Sequence, residues 1–232
     1  MSNVSAFLLV LSDPGENVTE TEFHDWYDNE HVPLRVEVPA FKTWRRVKAV
    51  DSKSPPWAAF YDLTCYEDTQ KAPYTTLAET RSEREKDVLS RLKLLDRRMY
   101  ELVQDAPVDP SFDDKKPSPF VHFVFTDVKL ENEEDYCKWY KEEHIPLLAK
   151  VPGWLRTRRF VLKEWNKLGT SVPDGGTPPP KYLSVMELEH LEGFQSEELK
   201  HATSTPWREK IVKELVRFEK HNYAHYKIWD RV

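Results

Sequence analysis

The sequence predicts an α+β protein in which two copies of one βαββαβ unit lie in tandem and pack sheet to sheet within a single chain. Three observations carry this. The chain has 232 residues, about twice the length of one compact module. Slid along itself, it matches itself over a long stretch. Segments such as Phe7 to Leu11 and Phe120 to Phe125 are apolar at odd and even positions alike, so each needs cover on both faces.

The repeat is plainest where Trp26, Tyr27, Glu30, His31, Pro33 and Leu34 return as Trp139, Tyr140, Glu143, His144, Pro146 and Leu147. Val38-Pro39 returns as Val151-Pro152, and Arg45-Arg46 as Arg158-Arg159. Upstream, AFLLVLSD (6–13) aligns with FVHFVFTD (120–127). Downstream the likeness weakens, but Arg84-Glu85-Lys86 resembles Arg208-Glu209-Lys210. The proline- and charge-rich stretch 107–118 reads as a linker between repeats over 1–106 and 119–232.

Each copy opens with an apolar strand. A polar turn leads to a helix over about Glu20 to His31, or Glu133 to His144, which Pro33 and Pro146 should stop, because the residue before proline is pushed out of the α region. An alternating strand follows around Phe41 to Val50, or Trp154 to Leu162. A third strand comes next, then a long charged helix over about Leu77 to Arg97, or Pro206 to His221. A last strand lies near Arg98 to Val103, or Ala224 to Trp229. The order βαββαβ gives a four-stranded antiparallel sheet with helices on one face, the ferredoxin-like arrangement. Packing the two open faces together would remove both from water, at roughly 25 cal/mol per Å². The Gly- and Pro-rich segment 164–180 has no counterpart in the first copy and reads as a mobile inserted loop able to cover a pocket.

Composition narrows the function. A net charge of -6 offers no basic stripe for nucleic acid. No apolar run is long enough for a membrane span or a secretion signal, so a cytoplasmic protein is expected. Cys65 and Cys137 lack zinc-site spacing and are expected as reduced thiols, with no metal.

The segments Trp26-Tyr27-Asp28-Asn29-Glu30-His31-Val32-Pro33-Leu34 and Trp139-Tyr140-Lys141-Glu142-Glu143-His144-Ile145-Pro146-Leu147 resemble the W-Y-x-x-x-H-x-P-L pattern that ends the first helix of EthD-type members of the dimeric α/β-barrel superfamily. The resemblance implies a cavity between sheet and helices. It also implies relatives that act without metal or prosthetic group as dehydratases, cyclases, isomerases or monooxygenases on aromatic and polyketide-like molecules. Two copies in one chain depart from the usual single-repeat homodimer and let the two sites diverge. A further homodimer stays open.

Tyr27 and His31, like Tyr140 and His144, stand four residues apart on one helix face. They are the catalytic candidates. A helix C-terminus, with Glu30 or Glu143 beside it, should favour the imidazolium and bring titration near neutrality; the bland alternative is a histidine that caps the last carbonyls. Trp26 and Trp139 are candidate substrate contacts, against the plainer reading of core, since a helix covering a sheet needs such an apolar stripe. Arg46 and Arg159 are candidates for binding a carboxylate or enolate, against the plainer reading of solvated strand charges. His122, at the position of Leu8, and Glu187, whose counterpart is Asp62, interrupt apolar strands, and a buried polar group needs a partner or a function. His122 favours the second copy as the active one.

The expected function is a cofactor-independent enzyme using histidine acid/base chemistry on a small hydrophobic molecule. The alternatives are a non-catalytic ligand-binding or stress-related protein, a cofactor-free monooxygenase, and a haem protein.

Overall fold

A computed structural model describes residues 4–105, 108–113, 115–173 and 176–231. The first copy runs β1 (Ala6–Asp13), α1 (Glu20–Trp26), α2 (Val32–Val36), β2 (Trp44–Ala49), β3 (Trp57–Leu63), α3 (Glu83–Arg91) and β4 (Leu94–Asp105). The second runs β5 (Phe120–Val128), α4 (Glu133–Trp139), α5 (Ile145–Leu148), β6 (Trp154–Leu168), β7 (Tyr182–Leu188), α6 (Glu197–Ala202), α7 (Pro206–Glu214) and β8 (Leu215–Trp229). The strands hydrogen-bond in the closed order β1-β3-β2-β8-β5-β7-β6-β4. This is the predicted α+β barrel of two ferredoxin-like repeats. Contacts group the described residues into two compact units, one within Met1–Leu102, Leu162–Pro179 and Tyr226–Val232, the other within Val103–Val161 and Pro180–His225. No helix among the described residues is long and apolar enough to cross a membrane.

In the first unit β1 is buried along its whole length and pairs antiparallel with β3 and β4. Thr19 starts α1, its Oγ1 accepting the Glu22 N–H at 3.2 Å. Phe23, Trp26 and Tyr27 then bury their rings in the same core as Leu8, Val10 and Tyr61, each full burial contributing about 1.5–3 kcal/mol. In the second unit β5 pairs with β7 and β8 in the matching register.

Neither proline stops its helix. Tyr27–His31 and Tyr140–His144 are π turns, and the chain continues into α2 and α5 with proline in their first turns. Val32 N–H bonds to Tyr27 O, five residues back. The widened turn makes room for the pyrrolidine ring, which in a regular helix would strike the carbonyl four residues back.

The second helices are shorter than predicted. α3 and α7 end at Arg91 and Glu214, and Leu92 and Leu215 turn to extended ψ values of 141° and 133°. The ends of the predicted charged helices belong instead to β4 and β8: Asp96 faces the same way as Arg98, two along the strand, and the two pair at 2.7 Å out of solvent. β6 is longer than predicted and takes in residues 164–168 of the segment expected as a loop. Beyond it the chain is fastened rather than free: Thr170 N–H bonds to Leu92 O at 2.9 Å and Ser171 N–H to Lys93 O at 3.1 Å. Gly169, at φ 131°, permits this approach, since a Cβ there would stand 2.4 Å from Lys93 O. The arginine pairs are not solvated strand charges either; Arg45, Arg46, Arg158 and Arg159 are all buried.

Candidate functional site

In the first copy the Tyr/His pair is sealed. His31 Nδ1 lies 2.9 Å from Glu85 Oε1, and both side chains are buried. Burial, and then the charge of Arg35, lower the His31 pKa to about 4 in spite of Glu85. The imidazolium expected from the helix terminus is therefore overturned: desolvation outweighs the partial charge of a helix end. Burial likewise pushes the Tyr27 and Tyr61 hydroxyls up. Trp26, Tyr27 and Tyr61 fill the space between helix and sheet.

The second copy is open at the same place. A cavity of about 250 Å³ lies between the sheet strands β5, β7 and β8 and the helical segments α4, α5 and α7. The sequence explains the opening. Tyr61 faces Leu8 in the first copy, and the matching pair is Met186 and His122, so a thioether replaces a phenol. Leu8 and Met99 are neighbours across β1 and β4; the matching His122 and Asn222 line the cavity, with His122 Nδ1 2.6 Å from Asn222 Oδ1. An apolar pair has become a hydrogen-bonded polar one.

Trp139, Tyr140 and His144 line the cavity from the π turn. The His144 ring stacks on Trp139 with centroids 4.2 Å apart and planes at 20°, and its Nδ1 is buried without a hydrogen-bond partner. Burial lowers its pKa to about 3. Glu143 does not hold it up: its Oε1 accepts the Trp139 Nε1–H at 3.0 Å and the Thr205 hydroxyl at 2.6 Å. Burial raises the Tyr140 pKa above its ordinary value.

The copies also differ in charge. Ser82 and Thr205 cap α3 and α7, accepting from Glu85 N–H and Arg208 N–H respectively. Glu85 and Arg208 are therefore equivalent, and the place of the carboxylate beside His31 is taken in the second copy by a guanidinium that lines the cavity. Arg46 bonds to Asp28 and lies 4.3 Å from the Tyr27 ring centroid. Arg159 lies 3.9 Å from that of Tyr140, but Lys141 stands at the position of Asp28, and among the described residues Arg159 Nη1 reaches the Gln104 amide oxygen at 3.4 Å and no carboxylate.

Of the predicted residues, the cavity gathers His122, Trp139, Tyr140 and His144. Glu187 is elsewhere, next to Met186 on β7 and so on the opposite face. It is 0% exposed and held by Arg156 at 2.6 Å, Arg158 at 3.2 Å and Ser118 at 2.8 Å. Asp62 is buried at the equivalent place, opposite Phe7. Arg159 backs Tyr140 without lining the cavity, and Trp26, Tyr27, His31 and Arg46 belong to the filled copy. Sequence reasoning missed Asn222 and Arg208. The signal for both is a polar or charge-reversing change between equivalent positions, Met99 to Asn222 and Glu85 to Arg208. Among the described residues no group of three or more His, Cys, Asp or Glu side chains is placed to hold a metal ion.

No protein-family profile and no curated sequence matches this chain. Solved structures do match it. An anthrone oxidase-like protein has 12% identity and a TM-score of 0.61 over 99% of this chain and 94% of its own. A candidate chlorite dismutase has 11% identity and a TM-score of 0.57 over 97% and 96%. A candidate monooxygenase of Fusobacterium nucleatum has 9% identity and a TM-score of 0.56 over 100% and 96%. At such identities the likeness shows the fold, the ferredoxin-like dimeric α/β-barrel, and not the chemistry.

Proposed function

We propose that this chain is a cofactor-independent, EthD-like enzyme that works by imidazole acid/base chemistry on a small hydrophobic molecule, aromatic or polyketide-like, held in the cavity of the second copy. One observation carries the reading: a half-enclosed, largely apolar cavity whose polar groups include two imidazoles, His122 and His144. With Asn222 Oδ1 accepting from Nδ1–H, His122 is held in the tautomer whose Nε2 is basic, which makes it the proton acceptor. His144 titrates too low to be a good base. It orients the substrate beside Tyr140, whose hydroxyl is the donor to a substrate oxygen. Removal of a proton by one group while the other steadies the developing oxyanion is the elementary step of dehydration, cyclisation and isomerisation alike.

The test is turnover of a panel of anthrones and hydroxynaphthalenes, with products identified by mass spectrometry. His122→Ala and His144→Ala should each lower kcat about a hundredfold or more, while His31→Ala leaves it within about threefold once corrected for folded fraction. Unchanged turnover in both cavity variants sinks the reading. Saturable binding without any product points to a ligand-sequestering protein instead.

The likeness to an anthrone oxidase-like protein favours a second reading, cofactor-free monooxygenation, in which the same base forms a carbanion that reacts with dioxygen. Oxygen uptake in step with product distinguishes the two. Haem suits the site least: about 250 Å³ accommodates one or two fused rings rather than a tetrapyrrole.

A further inference from the structure

We propose that the cavity of the second copy takes a hydrophobic molecule bearing one carboxylate, and that Arg208 receives the carboxylate. The inference rests on the reading of this cavity as the binding site and adds the charge of its ligand.

The first ground is the balance of charge on the wall. Arg208 and Lys220 line the cavity, and among the described residues no Asp or Glu does. Arg159 adds a third positive charge behind Tyr140. A half-enclosed space lined by one sign of charge attracts the other, the more so where apolar walls keep the dielectric low.

The second ground is Arg208 itself. Among the described residues its guanidinium makes no hydrogen bond and no ion pair, although it is only partly exposed. Its equivalent, Glu85, is satisfied inside the protein by His31 at 2.9 Å. Charge reversal at this position gives up an internal partner and turns a planar donor fork toward the cavity, the geometry that matches a carboxylate. His144 lines the same wall, with a buried Nδ1 that has no partner.

The third ground is the remaining wall. Trp139, Leu148, Met186, Phe194 and Ile211 are apolar or aromatic, and at the rim Val212 and Phe218 are left 38% and 49% exposed. A ring system seated here covers them, so the ligand has an apolar body and an anionic head.

Equilibrium binding of 1-naphthoate and its neutral isostere 1-naphthamide to the full chain, followed by calorimetry, tests this apart from turnover. The expected result is naphthoate held about tenfold or more tighter than naphthamide, a preference that Arg208→Gln abolishes and Arg208→Lys partly keeps. Glu85→Gln, in the filled copy, should leave the preference intact. Circular dichroism confirms that each variant is folded. Equal binding of the two probes, or equal loss of both in Arg208→Gln, overturns the carboxylate assignment while the cavity remains a binding site. Binding of neither probe at millimolar concentration overturns the assignment and the reading of the cavity together.

Discussion

His31 Nδ1 and Glu85 Oε1 lie 2.9 Å apart with both side chains out of solvent, and this contact anchors the helix end to α3 in the first copy. Burial opposes ionisation of Glu85, but the hydrogen bond and charge of His31, with Arg35 and Arg81, outweigh it and hold the carboxyl below its ordinary pKa. His31→Ala strands a buried carboxylate and should cost about 3 kcal/mol by urea unfolding. His31→Gln, which keeps a donor, should cost about 1 kcal/mol. Equal losses would show that packing rather than the pair sets the cost.

Acid should loosen the fold before the carboxylates titrate. The folded-state pKa values, about 4 for His31 and about 3 for His144, lie below the ordinary 6.5. Between 6.5 and those values the unfolded chain binds protons that the folded chain does not. The stability due to neutral burial is thus fully present above pH 6.5 and drains away as pH falls toward 4. From pH 7 to 5 each histidine accounts for a loss of about 2 kcal/mol, somewhat less for the half-buried His144. Denaturation curves at the two pH values should show His144→Ala with about half the wild-type drop; an unchanged drop refutes the assignment.

Arg46 and Arg159 look interchangeable in sequence but should differ in cost. Arg46→Ala abandons Asp28, whose remaining partner is Lys227 at 3.0 Å, and removes the stack on Tyr27, for a loss of about 3 kcal/mol. Arg159→Ala leaves no carboxylate behind and should cost about 1 kcal/mol. The order of the two melting temperatures decides the matter.

Converting the second copy to the first should close its cavity. His122→Leu alone breaks the bond to Asn222 and should cost about 1–3 kcal/mol, whereas His122→Leu with Asn222→Met recreates the Leu8 and Met99 pair and should be near neutral. Adding Met186→Tyr should then end naphthamide binding. Retained binding in the triple variant would place the ligand elsewhere.

Repetition and hydrophobic pattern made most of the architecture legible, because burial on both strand faces and the order of elements leave few arrangements. One misreading has a plain cause. The arginine pairs were taken for solvated charges, while Arg46 with Asp28 and Arg158 with Glu187 satisfy one another inside. The site was half legible. Tyr140, His144 and His122 stand out in the sequence, but Arg208 was hidden by one residue of alignment: Arg84-Glu85-Lys86 set against Arg208-Glu209-Lys210 pairs like with like, whereas the caps Ser82 and Thr205 pair Glu85 with Arg208. Hydrogen bonding at a helix start defines the register that similarity of letters concealed.

The filling of the first copy by Tyr61, where the second has Met186, bears on how such a chain varies over generations. A symmetric homodimer writes each mutation twice, so any change that widens a pocket weakens the assembly at two places at once. Here a mutation is written once. The filled half can hold the fold while the open half drifts toward new ligands, and saturation should be reached at one molecule per chain.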